Sequence, residues 1–181
     1  FLSTLGNRYG DPILQDNLVV PLRLEKLLAR RMGELSGGEL QKVAIVATMA
    51  QEAEVYALDE PSAFLDVEDR FVVARAINRM VKARGKAAVV IDHDLQVVDI
   101  VSDRLLVFTG LPGVSGEATS PLTKEEGMNE FLERVGLTYR RDVSTGRPRV
   151  NKPGSKLDRE QKERGAYYYV ASARDQSAES D

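Results

Sequence analysis

The chain has 181 residues, of which 43% are hydrophobic, enough for the core of one domain. It contains no cysteine, which excludes disulfides and thiolate metal sites, and its formal net charge of -3 argues against nucleic-acid binding over the whole surface without excluding a local basic patch. No apolar stretch approaches the roughly 20 residues of a membrane span and no signal-peptide pattern opens the chain, so we expect a cytoplasmic protein without membrane contact.

The first 34 residues carry two apolar clusters, at 18–22 and 24–32, which are interrupted by Pro21 and rich in arginine. We interpret residues 1–34 as the remnant of a helical subdomain.

The next feature is the run Leu-Ser-Gly-Gly-Glu-Leu-Gln at residues 35–41. Ser36 and Glu39 fit a capping box at the start of a helix. Inside a helix, glycine is roughly 1 kcal/mol less favourable than alanine. Two glycines at 37 and 38 therefore favour another role, in which their exposed N–H groups bind an anion such as phosphate. The run alone leaves both interpretations open. The helix after it is predicted to pack on a sheet through one face, formed by Leu40, Val43, Ala44 and Ala47.

Residues 55–60 read as a short buried strand that ends in two adjacent carboxylates, Asp59 and Glu60. Ligands bind at the carboxyl ends of strands in open α/β sheets, where Asp59 would serve Mg²⁺ and Glu60 the attacking water. Solvated acids at a strand end are the alternative.

A second helix is predicted at 67–83, with Gly85 as its stop signal, and a second apolar strand at 87–91. The inward residues of the helix are predicted to be Phe71, Ala74, Ile77, Met80 and Val81. A helical connection implies that the two strands run parallel with a right-handed crossover. His93, the single histidine, follows the second strand, and a short helix at 95–101 and a strand at 105–108 come next.

Thr123 and Glu126 predict a capping box for another helix, which Gly136 closes. Its apolar residues are Met128, Phe131, Leu132 and Val135. Residues 138–170 then carry nine basic side chains against four acidic ones. Such a stretch is typical of a solvated tail but is also compatible with RNA contact, and the tyrosines at 167–169 fit either base stacking or a buried anchor.

Taken together, these runs resemble an ABC ATPase. Residues 35–41 resemble its signature, 55–60 its Walker B strand and 62–66 its D-loop, and His93 resembles its switch histidine. The resemblance implies an α/β fold of the P-loop NTPase class, the ABC-type nucleotide-binding domain. A P-loop, G-x-x-x-x-G-K-[ST], occurs nowhere in the sequence, so we expect an N-terminally incomplete domain.

The same resemblance assigns the site residues. ABC domains dock head to tail, so the signature would contact nucleotide in a second nucleotide-binding domain through Ser36, Gly37, Gly38, Glu39 and Gln41. Asp59 as the Mg²⁺ ligand, with Glu60 and His93 as catalytic residues, would act on ATP held by a P-loop outside the chain. Asp66 would couple the two sites. We therefore expect the isolated chain to be inactive.

The C-terminal part resembles a narrower group, the ABC class E ATPases or RNase L inhibitor homologues, in an archaeal-like form. The resemblance spans residues 20–170, and one departure is Asp92, where glutamate is expected. It implies three segments after the first 34 residues: the C-terminal part of the ATPase domain at 35–137, a basic hinge-like segment at 138–170 and a disordered tail at 171–181. Its most specific stretches are 127–129, 145–149, 158–162 and 165–169.

That group implies ribosome recycling and a role in translation initiation. Its members have two tandem nucleotide-binding domains and an N-terminal iron–sulfur domain, and they split ribosomes and stay on the small subunit. This chain resembles most of the second of these nucleotide-binding domains, so the implied partners are the other nucleotide-binding domain, docked head to tail, the small ribosomal subunit and its rRNA. The implied cofactors are ATP and Mg²⁺, with iron–sulfur clusters only in a part of the parent protein outside this chain.

Two other functions are compatible with part of the pattern. The ATP-binding subunit of an ABC transporter shares the motifs up to His93 but does not account for residues 138–170. A non-catalytic docking module would use only the signature face and the basic stretch.

Overall fold

A computed structural model describes residues 5–141 and 148–169 of the chain. The chain forms two compact units, one ending at Ser102 and the other beginning at Asp103. The segment boundaries expected at 34/35 and 137/138 remain predictions, and the tail expected at 171–181 lies outside the described residues.

Short helical turns make up the first described part of the first unit, and the interpretation of residues 1–34 as the remnant of a helical subdomain stays a prediction. Turns of 3₁₀-helix at Gly6–Gly10, Leu24–Leu27 and Met32–Glu34 alternate with an α-helical turn at Pro12–Leu14 that continues as a π-helical turn at Gln15–Val19. Their leucines and one valine fill the core, namely Leu14, Leu18, Val19, Leu24 and Leu27.

Helix α1, Gly37–Met49, begins where the sequence predicts but buries a different face. Its buried residues are Val43, Ile45, Val46 and Met49. Of the predicted face, Val43 is buried and Ala47 is half-buried, but the prediction was wrong for Leu40, which is 41% exposed, and for Ala44, which is also exposed. The reason is that α1 contacts the turn Leu24–Leu27 as well as the sheet, and this second neighbour rotates the buried face.

The predicted strand–helix–strand unit is confirmed. Strand β1, Val55–Asp59, and strand β2, Ala87–Ile91, pair in parallel, with Asp59 opposite Ile91. Helix α2, Val67–Arg84, connects them and ends at Gly85, whose φ of 63° is in the left-handed region. Its buried residues include Ala74, Ile77 and Met80, while Phe71 and Val81 are half-buried.

The sheet of β1 and β2 buries one face only. Tyr56 and Leu58 point into the core, whereas Val55 and Ile91 on the other face are 57% and 61% exposed. Helix α3, Leu95–Val101, follows with the predicted bounds. The side chains that follow β1 and β2 in sequence therefore meet at one edge of this sheet.

In the second unit, the single strand predicted at 105–108 was wrong. Strand β3, Arg104–Leu105, pairs with β6, Leu122–Thr123, and β4, Phe108–Leu111, forms a hairpin with β5, Ser115–Ala118. The chain changes partner at Val107, which exchanges hydrogen bonds with Thr119: its N–H donates to Thr119 Oγ1 over 3.1 Å, and its carbonyl accepts from Thr119 N over 3.0 Å.

Helix α4, Lys124–Val135, confirms the predicted capping box and its stop at Gly136. Met128 and Leu132 are buried, whereas Val135 is 47% exposed. Gly127 lies against β3, since a Cβ there would be 2.6 Å from Leu105 Cβ. The close approach of α4 to β3 thus requires glycine.

The basic stretch after residue 138 is folded where it is described, so the interpretation as a solvated tail was wrong for those residues. Strands β7, Tyr139–Arg141, β8, Pro148–Val150, and β9, Tyr168–Tyr169, form a sheet in the order β8-β7-β9, accompanied by helix α5, Lys156–Glu163. Tyr139 and Tyr168 are buried and stacked with centroids 5.9 Å apart, so Tyr168 is an anchor. Buried polar side chains explain the order of this stretch: Thr138, Asn151, Asp158 and Gln161.

Candidate functional site

The carboxyl ends of β1 and β2 bring the two predicted catalytic residues together. Glu60 follows β1 directly and His93 follows β2 by two residues, and Glu60 Oε1 lies 3.4 Å from His93 Nδ1. Both side chains are open to solvent, 53% exposed for Glu60 and 75% for His93. Asp59, the last residue of β1, is exposed beside them. A carboxylate and an imidazole are thus placed within reach of one water molecule.

The loop between β1 and α2, residues 60–66, has an unusual backbone. Glu60 has a φ of 44° and Phe64 a φ of 62°, both in the left-handed region that non-glycine residues rarely adopt. Such conformations cost on the order of 1–3 kcal/mol each and persist only where neighbouring groups fix them. Glu60 N donates to Ile91 O over 2.7 Å, which ties the start of this loop to β2.

The capping box predicted at the start of α1 is present. Ser36 Oγ accepts from Glu39 N over 3.3 Å, and Glu39 Oε2 accepts from Ser36 N over 2.8 Å. Arg30 pairs with Glu39 over 3.2 Å. The bonds from the Ser36 backbone and hydroxyl, assisted by Arg30 and Lys42, lower the pKa of Glu39. Contact of Ser36 and Glu39 with phosphate stays a prediction.

The two signature glycines pack against the 60–66 loop. A Cβ on Gly38 would lie 3.0 Å from Phe64 O, and one on Gly37 would lie 3.6 Å from Phe64 Cβ. Sequence reasoning attributed both glycines to anion binding and missed this packing, because it could not place Phe64 next to α1. Close backbone approach accounts for Gly38 without a ligand.

Gln41, predicted to contact nucleotide, is bonded to the same loop. Its Nε2 donates to Glu60 O over 3.2 Å and to Pro61 O over 3.3 Å. Asp66, predicted to couple two sites, caps α2 by accepting from Asp69 N over 2.8 Å. The structure therefore gives both side chains a local role in fixing the loop, and their roles toward nucleotide or a second domain stay predictions.

Sequence reasoning noted Asp92 only as a departure and did not single out Arg70. Asp92 Oδ2 accepts from Ser62 N over 3.2 Å, and its Oδ1 accepts from Asp94 N over 2.9 Å. Arg70 donates to Asp94 Oδ2 over 2.9 Å and to Leu65 O over 3.0 Å. A charged residue directly after an apolar strand was the available signal for Asp92.

The carboxylates at the ends of the strands can be compared with the ligands that Mg²⁺ prefers. In residues 5–141 and 148–169, no three His, Cys, Asp or Glu side chains are grouped as a metal site. Mg²⁺ keeps several waters and takes one or two carboxylates plus substrate phosphates, so a single exposed carboxylate such as Asp59 fits that mode.

None of the helices in the described part of the chain combines the length and apolar character needed to cross a bilayer.

Comparison with known proteins gives one family match and several relatives. The family described as ABC transporter matches residues 14–63. An uncharacterized ABC transporter ATP-binding protein of Methanocaldococcus jannaschii is 51% identical over 93% of this chain and 28% of its own length. The translation initiation factor RLI1 of Chaetomium thermophilum is 38% identical over 99% of this chain and 29% of its own length.

Two solved structures agree with these relatives. One is described as RNase-L Inhibitor, with a TM-score of 0.85, 51% identity and coverage of 94% of this chain and 33% of its own. The other is the archaeal ribosome recycling factor aABCE1 in complex with the ribosomal stalk protein aP1, with a TM-score of 0.84, 50% identity and coverage of 93% and 33%. The chain thus spans about a third or less of the length of each of these four proteins. With its parallel sheet, signature helix and paired strand-end residues, the chain belongs to the ABC ATPases of the P-loop NTPase class, in the RNase L inhibitor group.

Proposed function

We propose that this chain is part of an ATPase that couples ATP binding and hydrolysis to ribosome subunit splitting and translation initiation. The observation that carries the proposal is the approach of Glu60 Oε1 to His93 Nδ1, 3.4 Å, at the ends of adjoining parallel strands. In phosphoryl transfer most of the catalysis comes from positioning and charge stabilisation, and a carboxylate beside an imidazole supplies both for a water molecule.

Each strand-end residue has a distinct role in this proposal. Glu60 orients the attacking water and polarises or accepts its proton, and His93 holds the water and the terminal phosphate in register. Asp59 holds Mg²⁺ directly or through water. Mg²⁺ supplies charge neutralisation of the phosphate oxygens when bound. The exposure of all three side chains is in keeping with a site completed by further groups.

The start of α1 acts on a different nucleotide in this proposal. Ser36, Gly37 and Gly38 present the N-terminal end of a 13-residue helix, where the dipole favours anions. This end faces the γ-phosphate held by a second nucleotide-binding domain docked head to tail, with Gln41 supporting it from the next turn and Asp66 carrying the coupling. A P-loop, absent from this sequence, must come from another segment or domain, so the chain alone does not turn over ATP.

The translation role rests on the relatives and on the second unit. A translation initiation factor and an archaeal ribosome recycling factor both match nearly the whole chain, including the basic stretch. There Arg140 and Arg149 lie directly opposite each other on β7 and β8, and both are exposed. Exposed guanidinium groups are suited to contact the phosphates of rRNA on the small subunit. The proposed setting is the cytoplasm, and iron–sulfur clusters belong to other parts of the parent protein.

The proposal is tested by measuring ATP turnover with the chain alone and then mixed with a separately prepared ABC domain that carries a P-loop. We expect no turnover alone and restored turnover on mixing. The same mixture with Ser36→Ala/Gly38→Val in this chain serves as a control and should stay inactive.

The other outcomes contradict the proposal in distinct ways. Turnover by the chain alone would show that it contains a nucleotide cradle that the motifs do not reveal. Binding to the added domain without turnover would instead favour a docking module, and co-purification of the full-length protein with a transmembrane subunit would favour a transporter.

A further inference from the structure

The 60–66 loop is held from three sides by side chains of other elements. Gln41 reaches it from α1, Arg70 from α2, and Asp92 from the segment after β2. Since Glu60 and Phe64 hold costly left-handed conformations, these bonds help to hold the loop in its observed path, together with the bond from Glu60 N to Ile91 O.

Asp92 differs from the other two anchors in what it connects. One carboxylate oxygen accepts from Ser62 N, two residues after Glu60, and the other accepts from Asp94 N, which directly follows His93. A single carboxylate therefore joins the backbone that carries Glu60 to the backbone that carries His93. Gln41 and Arg70 bond the backbone of the 60–66 loop, and Arg70 also pairs with the side chain of Asp94, but neither bonds the backbone of the segment carrying His93.

The bond to Ser62 matters because that residue is inaccessible to water. Ser62 is 3% exposed, so its N–H depends on a protein acceptor. Loss of an acceptor at a buried donor leaves the desolvation cost uncompensated, and the backbone then shifts to find another partner. Any such shift moves Glu60 relative to His93, since only Pro61 separates Glu60 from Ser62.

We propose that Asp92 is a positioning residue that keeps Glu60 and His93 in register for hydrolysis. This inference rests on the proposed function, in which those two side chains act on one water molecule. Asp92 touches neither the water nor the nucleotide in this role, because both of its oxygens face backbone N–H groups.

The chemistry of the two bonds defines the substitutions. Both partners of Asp92 are donors, so two acceptor oxygens are required. Asparagine offers one oxygen and turns an NH₂ group toward one of the N–H donors. Glutamate keeps both oxygens, and is therefore the conservative variant expected to restore the arrangement.

The test compares Asp92→Asn, Asp92→Glu and the matched control Asp103→Asn in the full-length ATPase that we propose contains this chain. Asp103 is an exposed aspartate of the second unit, so the control makes the same chemical change. We expect Asp92→Asn to lower kcat about 100-fold, the scale of a 1 Å misplacement. KM for ATP should change by no more than about twofold, since ground-state binding is untouched. Asp92→Glu should recover most of the kcat.

Glu60→Gln in the same protein distinguishes failure of the proposed function from failure of the positioning role. If Glu60→Gln leaves turnover unchanged, the proposed function is wrong. If Glu60→Gln abolishes turnover but Asp92→Asn behaves like Asp103→Asn, or raises KM instead of lowering kcat, the positioning role alone is overturned. Should Asp92→Asn fail to fold, hydrogen exchange in the unsubstituted protein decides: a Ser62 N–H that exchanges like that of an unfolded peptide overturns the role, and a protected one supports it.

Discussion

At the scale of single residues, Glu60 is the position on which the proposed hydrolysis depends most directly. We expect Glu60→Gln in the full-length protein to lower turnover by roughly 100-fold or more, the contribution typical of a general base, because the amide cannot accept the water's proton. ATP should remain bound with the domains closed, which retention of labelled ATP on a filter measures. Glu52→Gln, at an exposed position, is the matched control. Rapid turnover by Glu60→Gln would remove this residue from the mechanism.

The two signature glycines make a second residue-scale prediction. Alanine in the first turn of α1 gains roughly 0.5–1 kcal/mol of backbone entropy over glycine at either position. At Gly38 this gain is opposed, because the new Cβ lies 3.0 Å from Phe64 O, whereas at Gly37 the nearest atom is 3.6 Å away. We expect Gly38→Ala to be less stable than Gly37→Ala by about 1 kcal/mol or more, the lower end of overpacking costs. Denaturant unfolding of both variants measures the difference, and equal stabilities would contradict the packing argument.

The sequence was sufficient to predict which polar residues lie at the ends of the strands. It was insufficient to predict which side chains hold the backbone around those residues. Asp59, Glu60 and His93 could be predicted because polar residues directly after parallel strands meet at one edge of a sheet. The partners of Gln41 and Asp92 are backbone atoms of a loop whose path depends on left-handed residues, and no sequence period encodes that path.

At the scale of elements, the capping boxes of α1 and α4 predict sensitivity to acid. The pKa of Glu39 is lowered by its bonds with the Ser36 backbone and hydroxyl, and that of Glu126 by its bonds with Thr123, both from an ordinary value of 4.5. A carboxyl whose pKa is lower in the folded state stabilises the fold above its ordinary pKa and loses that effect as the pH falls through the lowered value.

We therefore expect helix content followed by circular dichroism to fall as the pH drops below 4.5, the ordinary glutamate value. Glu39→Gln/Glu126→Gln, which keeps an acceptor oxygen at each cap without the titration, should flatten this dependence. Glu52→Gln/Glu68→Gln at exposed positions should leave the dependence as in the unsubstituted protein. A profile that is the same for both pairs would show that other carboxyls control acid unfolding.

The elements themselves were predictable to different degrees. The bounds of α3, Leu95–Val101, followed from the sequence because an aspartate cap and a short apolar run define it locally. The buried face of α1 did not, because the turn Leu24–Leu27 packs on it from elsewhere in the chain. The strand predicted at 105–108 divides at Val107 for a similar reason, since the backbone N–H and carbonyl of Val107 form hydrogen bonds with Thr119.

At the scale of the whole molecule, the second unit depends on buried hydrogen bonds. Thr138 is fully buried, and its Oγ1 donates to Asp158 Oδ1 over 2.7 Å while accepting from Asn151 Nδ2 over 2.9 Å. We expect Thr138→Val to destabilise this unit by about 1–3 kcal/mol, because both partners lose a bond in a buried site. Hydrogen exchange of β7 and α5 should rise while that of β1 and β2 stays unchanged.

Thr48→Val, at an exposed position of α1, is the matched control for the loss of a hydroxyl. Equal effects of the two substitutions would show that the buried bonds of Thr138 contribute little.

The exposed arginine pair gives a further prediction for the whole molecule. Arg140→Gln/Arg149→Gln should weaken binding to ribosomal RNA and lower the slope of log affinity against log salt concentration by about one unit per arginine. The reason is that each phosphate contact releases counterions from the RNA, and this release is lost with the contact. Fluorescence titration of an rRNA fragment at several salt concentrations measures both effects. Arg75→Gln/Arg79→Gln, exposed on α2 of the first unit, should change neither. If the two pairs behave alike, the second unit has no special part in RNA contact.

Because the backbone of Glu60 is left-handed, substitutions at this position that raise stability should lower turnover. Its φ of 44° suits glycine or asparagine better than glutamate, yet only a carboxylate serves the proposed chemistry. A library of substitutions at position 60 screened for thermal resistance alone should therefore be enriched in glycine and asparagine, and every such clone should be inactive. Selection for turnover would return glutamate at the cost of a lower melting temperature, so the two screens should never converge on the same protein.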